Sequence, residues 1–185
     1  MNTLGTLNTL RHFIGSSQRR AILAGLRGEE AQYFRDTLDR LAGIIAAMPA
    51  TYGQEDAESP IAYLHYFAGG QASWWITEKD AGSPDDPEPE KGRQHQAFGL
   101  ANLYQDGGEI GYISIAEIIE NGGELDFHFT PKMLAEIRRE GAARQHLAGR
   151  EAATGIRGRY LVAEEAQQAA NRAVEYAQDF EQPPK

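Results

Sequence analysis

Apolar residues early in the chain recur at spacings of three and four: Phe34, Leu38, Leu41, Ile45 and Met48. This is the helical period, and it predicts a helix over 29–48 with one apolar stripe. Glu29 and Glu30 fall in its first turn, where negative charge suits the helix dipole, and Pro49 marks its end. The stripe reads as core rather than as a cofactor groove. Ahead of it, Ser16-Ser17 precede Gln18-Arg19-Arg20-Ala21-Ile22-Leu23. A hydroxyl there can accept an orphan backbone N–H, which predicts a short helix ending near Gly28.

After a polar loop over 50–59 the pattern changes. Residues 61–68 are rich in aromatic and apolar side chains and read as a strand. Gly69-Gly70 signals a tight hairpin, with 72–78 as the returning strand. Residues 80–94 hold three prolines and five acids, too little apolar surface to order a loop. Strands are expected at 96–104 and, after a Gln105-Asp106-Gly107-Gly108 turn, at 109–113. Ser114 with Glu117 three residues on is a capping box that opens a short helix, and Asn121-Gly122-Gly123 closes it. Residues 125–129 alternate as a fifth strand. Thr130-Pro131 reads as an N-cap followed by proline, starting a helix that runs to about Arg144. Residues 146–159 look irregular. A final helix over 162–180 lines up Val162, Ala166, Ala169, Ala173, Ala177 and Phe180. Small residues there permit close approach, either to the body of the domain or to a second copy of the chain.

These elements amount to an α+β protein: a small, twisted, mainly antiparallel five-stranded sheet flanked by N-terminal and C-terminal helices. Residues 1–53 form a helical extension, 54–137 the sheet domain, and 138–185 an Arg-rich connector with the Ala-rich helix, all within one compact unit. A length of 185 residues fits that size.

Composition narrows the chemistry. The chain has no cysteine, which excludes disulfides, thiolate catalysis and Cys-ligated metal centres. Its N-terminus lacks the basic-then-apolar plan of a signal peptide, and no apolar run approaches the roughly 20 residues that span a bilayer. The expectation is a soluble cytoplasmic protein without a membrane partner. A net charge of −9 argues against general nucleic-acid affinity, but the charge is uneven. Four arginines and no acid lie in 11–27, nine acids and Lys79 alone in 54–90, and six arginines against two acids in 138–159. Solvated helix faces are the ordinary explanation; an acidic contact surface between two basic arms is the functional one.

Five histidines invite a metal reading, since His65 and His128 fall on expected strands with Asp126 beside the latter. No His-x-x-x-His spacing accompanies them, so hydrogen-bonded surface histidines are expected, with no metal and no cofactor. There is no Gly-x-Ser-x-Gly elbow and no phosphate loop. Glu78 and Glu109 could pair across strands as acid and base, but paired carboxylates are common on solvated faces, and no enzymatic activity is expected. Trp74-Trp75 must point to opposite faces of a strand. One indole belongs in the core; the other is covered by a helix or exposed as an interaction anchor.

Four segments of the sheet resemble a known family. They are Pro60-Ile61-Ala62 through Tyr66-Phe67, Trp74-Trp75-Ile76-Thr77-Glu78, Ala97-Phe98-Gly99-Leu100, and Glu109-Ile110-Gly111-Tyr112-Ile113-Ser114. The family is the one called domain of unknown function 2958, and residues 127–131 look like its closing strand. The resemblance covers roughly 60–137 and implies a small accessory protein of mobile DNA, found on plasmids, integrative elements and phages among anti-restriction genes. It carries no catalytic residues over. The long loop 79–94 and the Arg-rich last third depart from the family pattern. Gly99 and Gly111 also have a plain physical reading, as places where a backbone or ring packs closely or a bulge bends the strand.

The resulting expectation is an accessory protein that binds another protein, from the host's restriction or CRISPR defence or from its own element. Clustered carboxylates imitate phosphate charge, so the candidate contact comprises Trp74, Glu78, Asp85, Asp86, Glu88 and Glu90. The alternative is nucleic-acid binding through Arg19, Arg20, Arg138, Arg139, Arg144, Arg150, Arg157 and Arg159.

Overall fold

The computed structural model describes residues 3–54, 57–69, 72–87, 91–104 and 107–145. The chain forms two compact units, Met1–Gly141 and Ala142–Lys185. Of the second, residues 142–145 are described; they are helical and exposed. Glu88, Glu90, Arg150, Arg157, Arg159 and the expected helix over 162–180 lie outside the described residues.

The first unit is α+β. Three helices, α1 (Thr3–Leu10), α2 (Ser16–Gly25) and α3 (Ala31–Ala47), precede the strands β1 (Ile61–Ala62), β2 (Leu64–Ala68), β3 (Ala72–Glu78), β4 (Ala97–Asn102) and β5 (Glu109–Ile113). Then come α4 (Ile115–Glu120), β6 (Glu124–Leu125), β7 (Lys132–Met133) and a helix over 134–141, α5. The main sheet has the order β5-β4-β3-β2-β6, with every pair antiparallel, and β1 pairs with β7 in a small second sheet.

Both faces of the main sheet are covered, by different layers. On the first face Leu64, Tyr66, Ile76, Ala97 and Ile113 meet Leu10, Ile22, Leu38, Leu41, Ile45 and Met48 from the N-terminal helices, and Ile115 and Ile118 from α4. The expected stripe of α3 is therefore core, and the N-terminal helices are a layer of the domain rather than an appendage. Tyr66 is fully buried there and donates its hydroxyl to the Phe13 carbonyl at 2.7 Å. Burial pushes that phenol's pKa well above the ordinary tyrosine value. On the second face a smaller cluster forms, in which Ala62 and Leu100 pack with Leu134 and Ile137 of α5, and Trp75 and Phe129 lie against it. Trp74 and Trp75 thus split between the faces, as their adjacency on one strand requires. Both are half-buried, so Trp74 packs on the main core rather than standing out as an anchor.

A β-bulge decides what the end of β3 presents. Ile76 pairs with Gly99 and Glu78 with Phe98, so Thr77 is an extra residue with no partner of its own. Its hydroxyl donates to the Phe98 carbonyl at 3.0 Å. Without the bulge, Glu78 would follow Trp74 and Ile76 onto the apolar first face; with it, Glu78 joins Phe98 and Tyr112 on the second. The bulge also draws the two backbones together. A Cβ on Gly99 would sit 2.1 Å from the Trp75 carbonyl oxygen and 3.0 Å from the Ile76 Cα. Gly111, expected to be similarly confined, has open space where a Cβ would stand.

Several elements differ from the sequence reading for local reasons. α1 has the poor helix formers Thr3, Gly5 and Thr6; the packing of Leu10 and a Thr6 to Asp39 hydrogen bond of 2.9 Å hold it. Gly15, not a serine hydroxyl, caps α2. The strand expected over 61–68 breaks at Tyr63, because β1 turns to pair with β7. The fifth strand stops at Leu125, since Asp126 accepts the His128 N–H at 2.9 Å and bends the chain into a turn. Lys132 and Met133 form β7, and α5 starts after it rather than at Pro131, with the Ser59 hydroxyl accepting the Ala135 N–H at 3.1 Å. The serine half of the box is as expected: the Ser114 hydroxyl accepts the Glu117 N–H at 3.1 Å and caps α4.

Gly99→Ala should lower stability by about 1–3 kcal/mol, because rigid backbone and not a movable side chain is in the way. Gly111→Ala should change it by less than about 0.5 kcal/mol. Chemical denaturation of the two variants measures both; equal effects would contradict the packing described.

Candidate functional site

Glu78 and the loop that follows α3 build one site together. Lys79 anchors the loop first. Its ammonium donates to the carbonyls of Ile45 and Ala46 at 2.8 and 3.3 Å, where the C-terminus of α3 favours a cation. Its own backbone pairs with the loop, Lys79 N–H to Pro49 at 2.9 Å and Thr51 N–H to Lys79 at 3.0 Å. Glu78 then fixes the next turn, its two carboxylate oxygens accepting the N–H groups of Tyr52 and Gln54 at 2.7 and 2.6 Å. These bonds hold Tyr52 at a φ of 73°, uncommon for a residue with a side chain. The Gln54 amide completes the wall, donating to the carbonyls of Ile61 and Thr77 at 3.0 and 2.9 Å and accepting the Ile61 N–H at 2.8 Å.

The result is a cavity of about 290 Å³ lined by Thr51, Tyr52, Gln54, Ala57, Pro60, Thr77, Glu78, Phe98 and Tyr112. Glu78 is 4 % exposed, a buried carboxylate whose burial is offset by two backbone donors. Tyr52 and Tyr112 are exposed, and their hydroxyls meet at 2.6 Å across the mouth. Phe98 packs edge-on to Tyr112 with ring centres 5.4 Å apart. The hydrogen bond to Tyr52, then partial burial and the nearby charges of Tyr52 and Glu78, raise the Tyr112 pKa. Aromatic walls around a carboxylate suit a cation.

A second polar group lies on the same face, toward the β2–β3 hairpin. His65 Nδ1 is 3.1 Å from Asp126 Oδ2, and His65 Nε2 is 3.3 Å from the Ser73 hydroxyl. The imidazole stacks on Trp75, with ring centres 5.1 Å apart and planes 12° from parallel, and Phe67 and Phe129 flank it. Desolvation would raise the Asp126 pKa, but the hydrogen bonds from His65 and the His128 N–H and the two imidazole charges together outweigh it, so it is lowered. His128 is exposed in the turn. Ser73 is the participant the sequence reading missed; neither alternation nor motif spacing indicates that a strand serine will meet a histidine across a hairpin.

The other candidates are dispersed. Glu78 lies level with Phe98 and Tyr112, whereas Glu109 lies level with Ala101 and Trp74 and is exposed, so the two carboxylates do not face each other. Asp85 is exposed, and the Asp86 carboxylate accepts the Ser83 N–H at 2.8 Å. The loop they occupy is tied at its base. Asp80 accepts the His95 and Gln96 N–H groups at 3.1 and 2.8 Å, and buried Gln94 accepts the Asp80 N–H at 2.8 Å. Polar side chains do there what apolar burial cannot.

Arg19 and Arg20 are exposed on α2, which packs on the first face through Ile22; Arg138 and Arg139 are exposed on α5, which packs on the second. These arginines do not form one basic surface, and Arg144 belongs to the other unit. Among the described residues no three His, Asp or Glu side chains gather as metal ligands, and no helix is long and apolar enough to cross a membrane.

No protein-family model, no curated protein and no solved structure matches this chain.

The lowered Asp126 pKa fixes a sign. A carboxylate depressed in the folded state contributes stability above its unfolded value, near 3.8, and loses it as pH falls through the folded value. The stability difference between the wild type and Asp126→Asn should therefore be constant above about pH 5 and shrink below about pH 4. Urea unfolding at a series of pH values reads it; a gap that widens in acid would reverse the assignment.

Proposed function

We propose that the protein is an accessory factor of a mobile genetic element that acts by binding a basic partner protein, taking one arginine or lysine side chain of that partner in the Glu78 cavity. The observation that supports this reading most is the cavity itself: a buried carboxylate walled by Tyr52, Phe98 and Tyr112. A guanidinium or ammonium group entering it meets π-faces on the way and negative charge at the end. The rim adds to this, because exposed Glu58 lies in the loop between Ala57 and Pro60, which both line the cavity. All four segments behind the family resemblance contribute to its lining: Pro60, Thr77 and Glu78, Phe98, and Tyr112. The partner in this reading is a nucleic-acid-handling protein, such as a component of restriction or CRISPR defence, whose phosphate-binding basic groups the acidic stretch over 54–90 engages. Binding nucleic acid directly is the weaker reading, since Arg19 and Arg20 lie on a helix covering one face of the sheet and Arg138 and Arg139 on a helix covering the other.

An Ac-Gly-Arg-Gly-NH2 peptide titrated into the full chain, followed by Tyr and Phe resonance shifts, should bind, while the matched citrulline peptide should bind at least about fivefold more weakly, since a cation–π contact is worth about 1 kcal/mol. Tyr112→Leu should weaken the arginine peptide by a similar factor and leave the Glu78 clamp on the loop intact. Equal shifts with arginine and citrulline, or none with either, would refute the assignment.

A further inference from the structure

Outside the Glu78 cavity, the hydrogen-bonded set on the second face has the connectivity of a nucleophilic triad. Asp126 Oδ2 meets His65 Nδ1 at 3.1 Å, and His65 Nε2 meets Ser73 Oγ at 3.3 Å. Each atom is the one the chemistry requires. A carboxylate on Nδ1 fixes the tautomer that leaves Nε2 free of its proton, and Nε2 is then the base that can take the serine proton. Two further features separate this set from an ordinary surface histidine. The imidazole plane is held by the Trp75 ring stacked on it and by Phe129 and Phe67, so the base cannot swing away from the serine. The Asp126 carboxylate is itself fixed on its other oxygen by the His128 N–H, and the Asp126 N–H donates to the His65 carbonyl at 2.8 Å. Base and orienting group are therefore tied together through both side chain and backbone.

We infer that Ser73 is an activated nucleophile and that this face carries out acyl transfer from uncharged carboxylic esters to water. In the first step the Ser73 oxygen bonds to the ester carbonyl carbon while its proton passes to His65 Nε2. The tetrahedral adduct then expels the alcohol, which takes that proton, and Ser73 is left acylated. Water repeats the sequence on the acyl-serine: its proton passes to Nε2, its oxygen bonds to the carbonyl carbon, and Ser73 leaves with the proton restored. The product is the free acid, and no other reactant is consumed. Asn102 stands opposite Ser73 across the β3–β4 ladder, and its Oδ1 is buried without a hydrogen-bond partner. A half-turn of that carboxamide exchanges acceptor for donor, offering an N–H on the side of the sheet where the oxyanion develops. Phe67, exposed and directly opposite Ser73 on β2, gives the approach an apolar character, which favours an aryl or short alkyl ester over a charged one.

Diisopropyl fluorophosphate tests the nucleophile directly, since Ser73 would displace fluoride and gain a stable phosphoryl group. Exposed Ser16, Ser17 and Ser83 are internal references in the same chain. Peptide mapping of the full-length protein should find the adduct on Ser73 at least 100-fold faster than on those serines, a general base contributing roughly 10²–10⁴. Ser73→Ala should abolish it with the circular dichroism spectrum unchanged. Asp126 acts as a positioning residue, so Asp126→Asn should lower kcat for p-nitrophenyl acetate about 100-fold per folded molecule, with the folded fraction counted by circular dichroism, and should change the pH profile of kcat, which a loss of folded protein alone would leave in place. Labelling of Ser73 no faster than of the reference serines, or hydrolysis unaffected by Ser73→Ala, would overturn the proposal and leave the three residues as a structural tie.

Discussion

The single extra residue at Thr77 sets what the second face of the sheet can do. A strand alternates, and Trp74 and Ile76 commit the even positions of β3 to the main core. Glu78 continues that series, and a carboxylate placed there would enter an apolar interior at a cost of several kcal/mol. The bulge turns it to the other face. It is possible because Gly99 lets the β3 backbone approach to a distance that any side chain would forbid, and because the Thr77 hydroxyl takes up the Phe98 carbonyl that the broken ladder leaves over. From that one reversal follow the clamp on Tyr52 and Gln54, the placement of the loop after α3, and the cavity. Glycine, threonine and glutamate here are parts of one device.

The second face is covered unevenly, and chemistry collects where cover is thin. The first face is roofed by α1, α2, α3 and α4. Among the described residues the second is covered by the post-α3 loop at the Glu78 end and by β1, β7 and α5, whose buried residues Ala62, Leu134 and Ile137 gather over Leu100 near the middle of the sheet. Toward one end lie Glu78, Phe98 and Tyr112; toward the other lie Ser73, Phe67 and Asn102. Between Ser73 and Glu78 the strand runs about 13 Å at 3.3 Å per residue once the bulge is discounted, so the two polar groups are separate sites flanking one apolar plug. Trp75 belongs to both worlds, packed against the plug on one side and stacked on His65 on the other.

What the sequence disclosed follows the range of the forces involved. The α3 stripe, β3, β5 and the Ser114 cap rest on contacts between near neighbours or on simple period, and their boundaries were legible within a residue or two. The fifth strand is present but shorter than its alternation predicts, because Phe127 and Phe129 alternate as a strand would, while the Asp126 side chain bonds two residues on and makes a turn instead. β7 and the start of α5 depend on Ser59, Pro60 and β1, about seventy residues earlier, which no local pattern records. The sites fared likewise. Glu78 could be singled out by type, but its role came from a bulge that alternation cannot foresee. Ser73 meets His65 only because the hairpin turns over at Gly69 and sets Phe67 opposite Ser73.

The uneven cover also explains why the polar groups here are held so tightly. A carboxylate, a histidine and an asparagine on a half-open face sit where water reaches some atoms and not others, so each buried atom must find a protein partner. Glu78 finds two backbone N–H groups, and Asp126 finds His65 and the His128 N–H. Such partners fix position as well as satisfy charge, because they tie one element to another: Glu78 of β3 to the post-α3 loop, and Asp126 of the turn after β6 to His65 of β2. Asn102 Oδ1 is the exception, a buried acceptor with nothing to accept from. Leaving it so costs about 1–3 kcal/mol, and that cost falls beside Ser73, the residue whose neighbour is the base. An unmet polar atom and a hydroxyl bonded to an imidazole stand side by side on adjacent strands, which is why the hairpin end of this face, and not only the cavity at its far end, is a place where a ligand would gain by arriving.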